Sequence, residues 1–317
     1  MATPNGSDSS ATFFILIGIP GLEAAQFWLA FPLCSLFLVA VLGNGILVYV
    51  VGTEPGLREP MYLFLGMLST VDALLATAAM PRMLGLFWFN STAIAFDTCL
   101  VQMFAIHSLS AIESSILLAM ALDRYVAICH PLRHATLLTP SRVAKLGVAA
   151  VVRGVALMAP LPVFLRHLPF CDSKVLSHSF CLHQDVMKLA CADITTSVVY
   201  GLVVIVSAIG LDALLVSLSY ALILRAALRL SREARLKALA TCVSHAGAVF
   251  LFYAPFIGLS VIHRSGHRVS SSLHVVLANV YLLVPPVLNP VVYGIGTTRI
   301  RQRILRVFHS VPRDSSA

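Results

Sequence analysis

The chain has 317 residues, of which 58% are apolar and 11% charged, and its mean hydropathy is +0.89. A soluble domain carries about 25% charged residues and needs them to meet water, so the composition excludes a soluble globular protein, and it fits no disordered, collagen-like or disulfide-scaffold chain either. What remains is a membrane protein, in which the placement of the formal charge of +8 says more than its size.

Residues 1–26 read as an outer N-terminal segment carrying the glycosylation acceptor Asn5-Gly6-Ser7. No basic n-region or small-residue cleavage site marks a signal peptide, so the first span is expected to act as an uncleaved anchor. Seven apolar segments follow, at about Phe27–Val51, Met61–Phe87, Cys99–Val126, Val143–Leu165, Thr196–Leu228, Ala238–Ile262 and Leu273–Ile295, each near or above the roughly 20 residues that cross a bilayer as helix. They are too long and too continuously apolar for barrel strands. Pro81, Pro160, Pro162, Pro255, Pro285, Pro286 and Pro290 fall inside them and are expected to kink the helices rather than end them.

The basic residues set the orientation. On one side lie Arg58, Arg124, Arg133, Arg142, Lys145, Arg225, Arg229, Arg232, Arg235, Lys237, Arg299, Arg301, Arg303, Arg306 and Arg313; on the other are Arg166, Lys174, Lys188, Arg264 and Arg268, with Arg82 and Arg153 inside spans. Fifteen against five places the C-terminus in the cytoplasm and, with an odd number of spans, the N-terminus outside. A second acceptor, Asn90-Ser91-Thr92, and the cysteines Cys99, Cys171, Cys181 and Cys191 then share the outer face, where oxidation is available and three pairings are open. Residues 166–195 form a long outer loop, and residues 296–317 an inner tail in which Ile300, Ile304, Leu305, Val307 and Phe308 interleave with arginines, as in an amphipathic helix lying on an anionic leaflet. The fold expected is an all-α membrane protein: a seven-helix bundle over residues 27–295 followed by that short cytoplasmic helix.

Short motifs narrow the function. Met120-Ala121-Leu122-Asp123-Arg124-Tyr125-Val126-Ala127-Ile128-Cys129-His130-Pro131-Leu132 ends span three. Gly43-Asn44 lies in span one, Pro60-Met61-Tyr62-Leu63-Phe64-Leu65 opens span two, Lys237-Ala238-Leu239-Ala240-Thr241-Cys242-Val243-Ser244-His245 opens span six and Pro286-Val287-Leu288-Asn289-Pro290-Val291-Val292-Tyr293 closes span seven. This ordered set resembles the olfactory receptors, a branch of the rhodopsin-like G-protein-coupled receptors, across nearly the whole chain. Gly18-Ile19-Pro20-Gly21-Leu22-Glu23, Ile106-His107-Ser108 and Cys181-Leu182-His183-Gln184-Asp185 look like the class I, fish-like branch, which is associated with water-soluble and often acidic odorants. Phe252-Tyr253-Ala254-Pro255 stands where most rhodopsin-like receptors place a tryptophan, so Tyr253 enters the expected activation trigger.

The resemblance implies roles for further residues. It places Asp72 and Glu113 near Asn44 and Asn289 around a polar cavity with room for a sodium ion or a shared proton, since two close carboxylates do not both ionise cheaply without a cation. It makes Asp123, Arg124 and Tyr125 the resting lock, with Tyr220 and Tyr293 bridging the helices once Arg124 swings toward a stimulatory G protein that raises cAMP. It pairs Cys171 with Cys191, and a Cys99–Cys181 bridge would hold His183 and Gln184 over a pocket mouth. Ser260 and Arg264, four apart on span six, present a forked donor to a carboxylate. His107 lies roughly 12 Å below Cys99 along span three, and Ile257 and Val261 are expected to wrap the ligand's alkyl part. The implied partners are a small acid odorant, a G protein and membrane lipid, with no nucleic acid and no cofactor beyond sodium; the implied location is the plasma membrane, in olfactory cilia. No enzyme is expected, because His245 and Cys242 lack both metal-ligand spacing and a nucleophile-base arrangement. The rival readings are a non-olfactory rhodopsin-like receptor for a metabolite, lipid or peptide, and a transporter, for which no internal repeat or paired broken helices are found.

Overall fold

The computed structural model describes residues 13–171, 174–264 and 271–309, with side-chain placement described for these except at positions 237, 259–264, 271, 272, 274 and 307–309. Asn5 therefore lies outside the described residues, as does Arg268. Among the described residues seven helices are long and apolar enough to cross a membrane. They begin with α1 (Gln26–Thr53), α2 (Pro60–Phe89) and α3 (Phe96–Cys129), followed by the short inner helix α4 (Pro131–Leu137). The fourth span is α5 (Pro140–Met158) with α6 (Pro160–Arg166); α7 (His183–Lys188) is a single outer turn. The fifth span joins α8 (Thr195–Ile205) to α9 (Leu211–Ala227) through a π-helical turn at Val206–Gly210. Helices α10 (Arg232–Arg264) and α11 (Ser271–Gly296) complete the bundle, and α12 (Thr298–His309) follows on the inner side.

Most expected prolines are carried inside continuous helices, as at Pro81, Pro255, Pro285, Pro286 and Pro290. In the fourth span the prolines interrupt the helix without ending it. Its hydrogen-bond ladder breaks between Met158 and Pro160, because Pro160 and Pro162, two residues apart, remove two N–H donors from the same turn; Ala159 keeps helical dihedrals, so the chain still crosses as one span.

Helix α3 sits at the centre, packing against α2, α5, α6, α9 and α10, and its buried side includes Ser108, Ser110, Glu113, Ser114 and Asp123. The outer helices turn apolar side chains such as Trp28, Val148, Leu214 and Phe250 outward, where a bilayer replaces water. Arg82, inside the second span, reaches to its outer end and donates to Ser91 Oγ at 3.0 Å and to the Ala93 carbonyl, the way a long cationic side chain escapes the hydrocarbon.

The outer face holds a feature that hydropathy does not predict. Strand β1 (Phe13–Leu16) pairs antiparallel with β2 (Ala93–Ala95), in the register Phe13 with Ala95 and Ile15 with Ala93. It pairs in parallel with β3 (Val175–Leu176) to give the order β2-β1-β3. Its alternation turns Phe14 inward, fully buried, with ring centroids 5.6 Å from Phe96 and 5.5 Å from Phe170. Disulfides join Cys99 to Cys181 and Cys171 to Cys191, with Cα–Cα distances of 5.5 and 5.7 Å, while Cys34, Cys129 and Cys242 are free thiols. Asn90 caps α2 in the left-handed region at φ 49°, exposed at the outer end of the second span.

If the buried ring holds this outer lid together, Phe14→Ala should cost about 3–5 kcal/mol and lower the thermal midpoint of the purified protein, while Phe13→Ala on the exposed side of the same strand should change it little. A thermal-shift series on the two variants makes the comparison.

Candidate functional site

Beneath α7 lies a cavity of about 480 Å³, bounded by α3, α5, α6, α8, the π-helical turn, α10 and α11. Its walls are mostly apolar, among them Ile106, Met158, Leu161, Ile205, Ile209 and Phe256. A small polar set interrupts them: His107 and Ser110 from α3, His183, Gln184 and Lys188 from α7, Ser197 from α8 and Tyr281 from α11. Apolar walls with few convergent polar groups are the usual make-up of a small-molecule site.

Three positions expected at the pocket therefore come together, His107, His183 and Gln184. Ser260, Val261 and Arg264 lie on α10, but their side chains are outside the described residues. Ile257 must be corrected. It is 52% exposed on the outer side of α10, and the residue that turns into the cavity is Phe256, whose ring packs 5.4 Å from Tyr281. One residue along a helix rotates the side chain by about 100°, enough to move it from pocket to lipid.

The lid of the cavity is fastened from several directions. The Cys181 N–H donates to Gln102 Oε1 at 3.2 Å, and Gln102 Nε2 donates to the Ala78 carbonyl at 3.1 Å, so the bridged loop is tied to α3 and α2. His178 and Asp185 form a buried pair inside the same loop. His183 is buried against Gly201, where a Cβ would stand 3.5 Å from its ring. Its Nε2 has no hydrogen-bond partner among the described residues. Burial pushes its pKa down to about 4, so the ring is neutral at physiological pH.

Directly below the cavity runs a polar network that the sequence did not reveal. Arg153 of α5 donates to Asp212 Oδ2 of α9 and to Ser115 Oγ of α3, both at 2.7 Å, and to the Ser207 carbonyl at 2.6 Å. Ser114 Oγ bonds Asp212 Oδ2 at 3.0 Å and Tyr253 Oη of α10 at 2.8 Å. It also approaches the Ala208 carbonyl at 3.3 Å. Both carbonyls belong to the π-helical turn, whose irregular spacing opens backbone acceptors to side chains. Two lone charges of opposite sign in spans four and five were the available signal, since charges inside a membrane seek one another.

Deeper still, Asn289 Nδ2 donates to Asp72 Oδ2 at 2.9 Å, and Asn44 Nδ2 donates to the Ala40 and Pro286 carbonyls, each at 2.8 Å. Asn44 Oδ1, Asp72 Oδ1, Asn289 Oδ1 and both oxygens of Glu113 have no partner among the described residues. Every one of these orphans is an acceptor oxygen, which suits a hard cation or a proton and is costly left unpaired. Among the described residues no group of three or more His, Cys, Asp or Glu is placed to hold a metal, so any ion here would depend on the asparagine oxygens as well.

At the inner end Arg124 Nε donates to Asp123 Oδ2 at 2.9 Å, and His134 Nε2 on α4 meets Asp123 Oδ1 at 2.8 Å. The fully buried Asp123 is thus held by two partners, of which His134 was not anticipated. Tyr125 Oη lies 3.5 Å from His130 Nε2. His245 is a junction, not simple packing: Nε2 donates to the Leu117 carbonyl at 3.1 Å, and Nδ1 accepts from Tyr220 Oη at 2.7 Å. Tyr293 is buried with its hydroxyl unpartnered among the described residues.

The olfactory receptor family model matches residues 33–310. The chain belongs to the olfactory receptor family. The receptor is 70% identical to human olfactory receptor 51E1 over 98% of this chain and 97% of that one. It is 56% identical to human olfactory receptor 51E2 over 93% and 92%, and 54% identical to human olfactory receptor 51D1 over 97% and 95%. These relatives place it in the class I branch. It is a multi-pass plasma-membrane receptor of the rhodopsin-like type that senses odorants through a G protein, and it is not an enzyme.

Two outcomes follow. Arg153→Ala should cost about 3–5 kcal/mol by stranding Asp212, and the double variant with Asp212→Ala should recover part of that loss in thermal-midpoint measurements. Because the folded pKa of His183 is about 4 against roughly 6.5 unfolded, protonation favours the unfolded chain. Stability should therefore fall as pH drops from about 6.5 toward 4, and His183→Gln should flatten that part of the thermal-midpoint profile.

Proposed function

We propose that the receptor binds a small organic acid or similarly polar-headed odorant in the outer cavity, with the anionic end on Arg264 and Ser260 and the alkyl part along Ile106, Ile205, Ile209 and Phe256. The arrangement that carries this reading is the one-turn offset between cavity and network on three helices. Ser110 lines the cavity four residues from Ser114, Phe256 three from Tyr253, and Ile209 three from Asp212. A ligand that draws the outer ends of α8 and α10 together thus strains hydrogen bonds one turn beneath it, and those bonds join α3, α5, α9 and α10.

Binding then shifts a two-state equilibrium in proportion to the ligand's preference for the contracted state. Outward movement of the inner end of α10 loosens the Tyr220–His245–Leu117 junction and releases Arg124 from Asp123, opening a surface for a stimulatory G protein that raises cAMP. A sodium ion or shared proton on Asp72, Glu113, Asn44 and Asn289 belongs to the resting state. The oxygen-only donor set supports that assignment, and occupancy by agonist opposes it.

A cAMP reporter with a carboxylic-acid panel tests the anchor. Loss of a charged hydrogen bond predicts about a 10- to 100-fold weaker response to acids in Arg264→Ala, with methyl esters of the same acids weak on both receptors. Equal activation of both by the acids removes Arg264 from the site. For the ion, raising sodium should lower acid potency on wild type and leave Asp72→Asn unaffected; parallel behaviour of the two receptors would place no sodium there.

A further inference from the structure

A second cleft opens on the inner face, remote from the odorant cavity. Its volume is about 250 Å³, and it lies between the loop joining α1 to α2 and the helix α12, lined by Gly56, Leu57, Arg299, Gln302, Arg303 and Arg306. The α12 positions follow i, i+3, i+4, i+7 spacing, so one stripe of that helix turns three guanidinium groups toward the loop. The rotation of α12 is fixed by the neighbouring stripe: Ile300 is fully buried, and Ile304 packs 3.7 Å from where a Cβ at Gly294 would stand. Gly56 keeps the cleft open, because a Cβ there would meet Arg303 Nη2 at 3.6 Å and a longer side chain would enter the space.

Two carboxylates orient the arginines. Glu59 accepts from Arg299 Nη1, and Glu54 from Arg303 Nη1 at 3.0 Å. Arg306 makes no hydrogen bond or ion pair among the described residues. Three guanidinium groups against two carboxylates leave the cleft positive. It also stands at the level where α1 ends at Thr53 and α2 begins at Pro60, the depth of inner-leaflet headgroups. Exposed Leu305 on the same helix gives a further apolar contact for lipid.

We propose that this cleft binds the headgroup of a phosphoinositide, an inner-leaflet lipid carrying phosphomonoester groups on an inositol ring, and so fastens α12 to the first inner loop. Forked guanidinium donors match phosphate oxygens in pairs, and three of them converge on a cleft of about 250 Å³ that takes the phosphate groups while the ring lies over its mouth. Phosphatidylserine would bring an ammonium group up against the arginines. The proposal is independent of what fills the outer cavity.

The test uses the full chain in phosphatidylcholine nanodiscs containing either phosphatidylinositol bisphosphate or phosphatidylserine at equal total charge, with bound lipid counted by native mass spectrometry. Wild type should retain the bisphosphate lipid over phosphatidylserine. Retention should drop by about 5-fold for each of Arg303→Gln and Arg306→Gln. It should also drop in Gly56→Trp, which fills the cleft without changing charge, and stay unchanged in Arg301→Gln, exposed on another stripe of α12. Arg306→Gln removes no contact among the described residues, so it keeps the test decisive if another variant fails to fold. Equal retention of phosphatidylserine, an equal loss in Arg301→Gln, or full retention in Arg306→Gln overturns the proposal. Displacement of the lipid by equimolar soluble inositol trisphosphate also overturns it, by assigning the cleft to free phosphate.

Discussion

The interior of a bilayer offers no water to a polar group, so a side chain in the seven spans that its own helix backbone does not satisfy must be answered by another helix or remain at a cost. That constraint organises the receptor around α3, the central helix. Its inward side carries polar groups from the outer to the inner face: Ser110 at the cavity, Glu113 buried without a hydrogen-bond partner among the described residues, Ser114 in the network with Asp212 and Tyr253, and Asp123 at the inner end. The neighbours supply what each level lacks. Arg153 answers Asp212 from α5, His245 reaches the Leu117 carbonyl from α10, and His134 helps to hold Asp123 from α4.

A ladder of this kind gives the bundle two properties at once. Each bonded level is expensive to break, which holds the helices in register, and on the proposed mechanism the levels at Tyr253 and His245 join helices that separate during signalling. The π-helical turn at Val206–Gly210 contributes to both. Its Ile209 faces the cavity while its Ser207 and Ala208 carbonyls accept from Arg153 and Ser114, so a change in the wall of the cavity is a change in the acceptors of the network. Above it, the three-stranded sheet and two disulfides hold the outer loops fixed, so that the proposed ligand would act on α8 and α10 rather than on the lid.

The bundle itself was legible because long apolar runs and a one-sided distribution of arginine are strong, additive signals. So were residues whose neighbours in the chain identify them, such as Asp123 with Arg124 and Asn289 before Pro290. Relations between distant segments were not. Arg153 and Asp212 each stood out as a charge inside a span, but nothing in the spacing said that they face one another. Phe256 and Ile257 are equally apolar neighbours, and only the rotation of α10 decides that the first lines the cavity and the second is exposed on the outside of the bundle. The outer sheet escaped because its strands are two to four residues long and its pairings are set by the disulfide-linked loop, not by alternation. His134 lies on a short inner helix whose position depends on α3 and α5 together.

On the proposed mechanism, occupancy of the outer cavity is transmitted through the Ser114–Tyr253 contact to the inner ends of the helices. The most direct measurement is the distance between a spin label on Cys129, at the inner end of α3, and one at Leu236→Cys, exposed at the inner end of α10, with Cys34 and Cys242 replaced by alanine. A carboxylic-acid agonist should lengthen that distance in the otherwise native receptor and fail to do so when Ser114→Ala and Tyr253→Phe are combined. An acid that raises cAMP without changing the distance, or that lengthens it equally in the doubly substituted receptor, would rule out this route of transmission.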